Sequence, residues 1–170
     1  MKKTIIVMGL MLMLIASLVS ATSWSKTTGT LDIAEKDSNW DVVEGGAYGN
    51  MKLNIVQRQA PYGSSKDWKI VRQTVKLRVY GLEPRTKYQL IYYGNEEVND
   101  VWPYATCLGR EFKTGSKGQR SVSARFNHID ASQDEVQQKL WVVLASDVDC
   151  ELGEMVAWQP SEYLFENNLI

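Results

Sequence analysis

One histidine and two cysteines stand in the 170 residues, and each shortage removes a class of function. His128 alone cannot supply the clustered imidazoles of a copper or zinc site. Any Ser-His-Asp or Cys-His catalytic arrangement would have to be built on it. No Gly-x-Ser-x-Gly stretch is present to hold a nucleophile at a strand-to-helix turn. No apolar run beyond residue 21 is long enough to span a bilayer. Neither sign of charge is in excess: 19 Lys and Arg face 20 Asp and Glu, which gives no reason to expect nucleic-acid binding. Internal repeats, low-complexity segments and linkers are also lacking.

The N-terminus, in contrast, is strongly patterned. Lys2 and Lys3 precede an apolar stretch from Ile5 to Val19, and Val19-Ser20-Ala21 offers the small residues that a signal peptidase reads. At ~1.5 Å per residue this stretch falls short of a ~30 Å hydrocarbon core. Residues 1–21 are therefore expected to be a signal peptide, with one domain in residues 22–170, secreted or otherwise extracytoplasmic. Loss of the two lysines takes the formal net charge from −1 to −3. In an exported chain an even pair of cysteines reads as one disulfide, Cys107–Cys150. The alternatives are two free thiols or a metal pair, and two cysteines 43 positions apart with one histidine make poor zinc ligands.

The mature chain is organised around Val75 to Tyr93. Val75, Leu77 and Val79 alternate with Lys76, Arg78 and Tyr80, the period of a strand with one face in the core and one in water. Gly81 and Pro84 break the ladder. A second strand follows, with Tyr88, Leu90 and Tyr92 on one face and Gln89, Ile91 and Tyr93 on the other. Similar alternation places strands around Leu31 and Ile33, through Met51, Leu53 and Ile55, and through Val122, Ala124 and Phe126. Short strands are expected near Thr106–Cys107, Glu111–Lys113, Met155–Trp158 and Tyr163–Phe165. Leu140-Trp-Val-Val-Leu-Ala145 lacks alternation and reads as a strand buried on both faces. Asp130 to Lys139 is the one helix candidate, one or two turns capped by Ser132. Eight or nine strands with turn signals between them predict an all-β, antiparallel sandwich with at most one short helix.

Leu82-x-Pro84-x-Thr86-x-Tyr88 resembles the tyrosine corner of fibronectin type III and immunoglobulin-like domains, in which the tyrosine hydroxyl bonds back to the preceding connection. The resemblance implies immunoglobulin-like or fibronectin-like character for the sandwich. A second resemblance rests on Gly45-Gly-Ala-Tyr-Gly49, Leu90-Ile-Tyr-Tyr93, Val101-Trp-Pro103, Cys107-Leu-Gly109, Leu140-Trp-Val-Val-Leu144, Asp147-Val-Asp-Cys150 and Trp158-x-Pro-Ser-Glu-Tyr-Leu-Phe-Glu166, in this order. The series is similar to a family of secreted prokaryotic β-proteins without an established activity. That similarity implies a fold and a compartment, and no catalytic residue.

Few residues suggest chemistry. His128 lies at a strand end beside Asp130, which could orient it; the plainer reading is an exposed strand-end histidine. Asp37-x-Asn39-x-Asp41 has the oxygen spacing that opens a calcium loop, but Val42 and Tyr48 stand where an EF-hand needs Gly and Glu. Asp147-x-Asp149, next to Cys150 and Glu151, is a second oxygen cluster. Both also fit solvated turns, because Asp and Asn bond their own backbone. Paired carboxylates for glycoside hydrolysis cannot be placed from spacing alone. Among six tryptophans and eight tyrosines, Trp141 is assigned to the core. Trp102 and Tyr104 flank Pro103 after a polar loop and could grip a sugar ring, with Asn99 and Asp100 for its hydroxyls; Trp102 could equally close the end of the core. The expected function is a secreted, non-enzymatic binding domain for an extracellular protein or polysaccharide, without a cofactor. The alternatives are a carbohydrate-binding module using those aromatics and, after it, a secreted hydrolase.

Overall fold

The alternation centred on Val75 builds the larger of two stacked sheets. A computed structural model describes residues 24–58, 70–93, 103–129 and 139–166. The leader, residues 130–138 of the helix candidate Asp130–Lys139, and Asn99, Asp100 and Trp102 lie outside the described residues, and Lys139 itself is in a strand. Strands β1 (Trp24–Ala34), β2 (Tyr48–Arg58) and β3 (Ile70–Tyr80) are each 11 residues long and form an antiparallel meander. Strand β4 (Lys87–Tyr93) leaves this sheet and begins the second. Short β5 (Ala105–Cys107) and β6 (Phe112–Lys113) lie along one edge of β4. The chain returns to the first sheet as β7 (Arg120–Ile129), beside β3, then crosses back as β8 (Lys139–Leu144) on the other edge of β4. A small hairpin, β9 (Val148–Asp149) and β10 (Glu154–Met155), follows. Finally β11 (Phe165–Glu166) pairs with β1, so the first sheet runs β11-β1-β2-β3-β7.

Burial separates three layers. Leu31, Ile33, Met51, Leu53, Val75, Leu77 and Val79 face Tyr88, Leu90, Leu140 and Val142 in the main core between the sheets. On the far side of the second sheet, Ile91, Trp141 and Val143 pack under Val148, Met155, Tyr163 and Phe165. Consecutive residues of β8 thus enter opposite cores, as its unbroken apolar run predicts. The first sheet has one dry face only. The fold is all-β and antiparallel, and the only helical turns among the described residues are 3-10 turns of three residues.

The corner between β3 and β4 takes the geometry its sequence implies. The Tyr88 hydroxyl accepts the Glu83 backbone N–H at 3.2 Å. Thr114, buried beside it, donates to Glu83 O at 2.6 Å and accepts Thr86 N–H at 3.1 Å. Burial pushes the Tyr88 phenol up to about 12, against ~10 in an unfolded chain. The folded state then holds that proton more tightly, so stability falls as pH rises above ~10. Tyr88→Phe should cost about 1 kcal/mol at neutral pH and flatten the alkaline decline. Thermal melts of both proteins across that range check this; parallel declines would refute it.

Two devices hold the third layer. Cys107 and Cys150 are joined in a disulfide with Cα atoms 5.5 Å apart, tying the end of β5 to the turn after β9. Behind it, the buried Asp147 carboxylate accepts from Ser146 Oγ at 2.8 Å, from Gln159 Nε2 at 3.1 Å on both oxygens, and from the Tyr163 hydroxyl. The Asp147 carbonyl accepts the N–H groups of Val156 and Ala157. The strand expected at Met155–Trp158 is shorter in the structure, Glu154–Met155; the shared Asp147 carbonyl draws the Ala157 N–H in beside that of Val156. Leu164 then bridges Val142 of β8 just before β11 joins β1. The last described residues therefore stitch the two sheets together along one side.

Candidate binding face

Among the residues whose side chains are described, the even-numbered ones of β1, β2 and β3 point away from the main core, and β7 continues the same face with odd numbers. Register sets them in rows. Asp32, Asn50, Arg78 and Ser121 form one row; Thr30, Lys52, Lys76 and Ser123 form the next; Thr28, Asn54, Thr74 and Arg125 form a third. Arg72 lies one row further, opposite Val56. Successive rows are about 7 Å apart along the strands. At the other end Tyr48 pairs with Tyr80, their rings stacked with centroids 5.0 Å apart and planes at 22°.

Charge on this face is predominantly positive. Lys52, Arg72, Lys76, Arg78 and Arg125 are exposed. The one carboxylate among the described side chains of the three rows is Asp32, whose Oδ1 accepts Asn50 Nδ2 at 2.7 Å. The Lys87–Glu111 ion pair is on another surface. Lys52 and Lys76 stand directly opposite each other, and like charges so placed destabilise a sheet. A depression of about 550 Å³ opens here, lined by Asn50, Lys52, Lys76, Arg78, Ser121 and Ser123 among others.

Those of the sequence-predicted site residues whose side chains are described fall elsewhere and do not converge. Tyr104 is half-buried and bridges Glu154, at the foot of the β9–β10 hairpin. Asp37 Oδ1 accepts the N–H groups of Asn39 and Asp41 at 2.8 and 3.0 Å, which closes a turn around the carboxylate. Asp149 Oδ1 likewise accepts Glu151 and Leu152 N–H groups, while Asp147 serves the buried network. Among the described residues no three His, Cys, Asp or Glu side chains gather as a metal set. His128 pairs with Val71 along the β3–β7 ladder; its side chain lies outside the described residues.

Two features had no sequence signal. Trp40 has φ +67° and is 54% exposed, in a short loop position that normally favours glycine. Its ring meets Phe165 edge-on at 5.1 Å, with Lys36 Nζ 5.9 Å from its centroid, so it covers the third layer from the side. Glu166 is buried, and that burial raises its carboxyl above the usual range, with Lys36 and Lys139 pulling it back.

The cationic rows were visible only as separate facts. Lys52, Lys76 and Arg78 occupy wet positions by alternation, but nothing local says that residues 24 positions apart become neighbours. Compared with protein-family models, curated proteins and solved structures, the chain has no significant match in any of the three.

Proposed function

We propose that this chain is an exported, non-enzymatic binding domain that holds an anionic partner on the wet face of its five-stranded sheet. The observation that carries the reading is the Lys52–Lys76 row with Arg78 and Arg125 beside it, cations set side by side with one carboxylate among them. Stability and solubility alone favour interspersed signs. A ligand that brings negative charge recovers the repulsion and adds attraction, and such patches steer association. Of the described titratable groups that are buried, Tyr88 serves the corner and Asp147 and Tyr163 serve the network behind the disulfide.

The test is a paired charge swap. Lys52→Glu with Lys76→Glu should weaken binding to a sulfated-polysaccharide column or to polyphosphate by on the order of ten-fold. Lys113→Glu with Lys117→Glu changes net charge equally on another surface and should bind like the unmodified chain. Equal losses in both double variants would reduce the effect to net charge and remove the face.

A further inference from the structure

We infer that the anionic partner is an acidic polysaccharide, seated with an acidic unit over the Lys52–Lys76 row and a sugar ring against the Tyr48–Tyr80 pair. This rests on the binding face proposed above and names its ligand class. Three observations point the same way.

First, the uncharged positions between the cations are short hydroxyl and amide side chains: Thr30, Asn50, Asn54, Thr74, Ser121 and Ser123. These groups both donate and accept. Phosphate oxygens only accept, so a bare polyphosphate would use half of that capacity. Sugar hydroxyls use both. Some of it is already pre-set on the protein, as in Thr28 Oγ1 donating to Asn54 Oδ1 at 3.2 Å.

Second, among the described side chains of this face the aromatic surface lies at one end. Tyr48 remains 55% exposed although it stacks on Tyr80, so apolar ring surface is open beside the cations. The C–H face of a sugar ring fits such a surface. Single-stranded nucleic acid is held by aromatic platforms for successive bases along the cationic track. Here the track itself, from Arg78 to Arg72, carries no aromatic residue.

Third, the depression at the centre of the rows lies within the size range of small-ligand sites. Lys52 and Lys76 meet across it, and Asn50 and Ser121 flank Arg78 at its margin. One acidic sugar unit can sit there while its neighbour along the polymer reaches the tyrosine row, about 13 Å away by strand geometry.

The experiment is titration of the full chain, with a folded-state control by circular dichroism, against polygalacturonate, a sulfated glucan, methyl-esterified polygalacturonate, polyphosphate and single-stranded DNA. Binding to polygalacturonate or the sulfated glucan is expected, with a loss of ten-fold or more on esterification. Tyr48→Ala and Tyr80→Ala should each weaken the acidic glycan about five- to ten-fold, consistent with an aromatic contact of ~1–1.5 kcal/mol, and leave polyphosphate binding unchanged. If polyphosphate or DNA binds as tightly as the glycans and ignores the tyrosine variants, the polysaccharide assignment falls while the anionic face stands. If no anionic polymer binds the folded chain, both fall.

Discussion

Reduced protein, or the double variant Cys107→Ser with Cys150→Ser, should melt about 8–16 °C below the oxidised chain. The bridge closes a separation of 43 residues, worth ~4 kcal/mol in the chain-entropy account. A domain of this size shifts by roughly 2–4 °C per kcal/mol. The effect has a place as well as a size. The bridge joins β5 of the second sheet to the turn that leads into β10, and so fixes the layer over Ile91, Trp141 and Val143. What remains after reduction is local: Ala105 N–H to Gly153 O at 2.9 Å, Met155 N–H to Pro103 O at 2.6 Å, and the Asp147 network. Trp141 stacks on Tyr93 at 4.0 Å under that layer, so its fluorescence should shift to the red as the layer loosens. Calorimetry with and without reductant decides the matter, and midpoints within about 2 °C of each other would show that the layer is held without the bridge.

Gly118→Ala carries the second large effect. Gly118 has φ +67°, and a Cβ there would lie 1.9 Å from the Leu82 carbonyl oxygen and 3.0 Å from its carbon. The obstacle is backbone, so no side-chain rotation relieves it. Gly118 O also accepts the Leu82 N–H at 3.2 Å, where the loop after β6 docks on the tyrosine corner. Separating the two would undo the contact that sets Tyr88 and Thr114. A loss of at least about 3 kcal/mol is expected, among the larger values for a point change. Gly45→Ala is the internal comparison: it shares a positive φ of +74° but meets nothing within 4 Å, so only the left-handed strain of ~1–2 kcal/mol applies. Chemical denaturation of both variants tests the argument. Equal losses would mean that the corner yields and that the close approach is not a constraint.

The two predictions mark the difference between what spacing announces and what packing adds. The cysteines announce themselves by count, and their pairing needs no geometry to be guessed. Gly118 reads only as a turn residue; the carbonyl that forbids its replacement comes from Leu82, 36 positions earlier. Likewise the acidic triplets read as oxygen clusters, but the structure spends Asp37 and Asp149 on their own turns and Asp147 on a buried tyrosine and glutamine. Trp40 sits in a backbone conformation that its side chain disfavours, and no local rule places a tryptophan there.

By itself the sequence determined the longer strands and which of their faces are dry. Alternation through Val75–Tyr80, the unbroken run of β8 and the Leu82–Tyr88 corner are local patterns, and a strand's two faces are fixed by its own period of two. Tertiary structure alone decided what those faces present. Register between strands is set by turns and by core packing over long separations. Only that register turns Lys52, Lys76, Arg78 and Arg125 from scattered wet positions into one cationic surface with a pair of stacked tyrosines at its end.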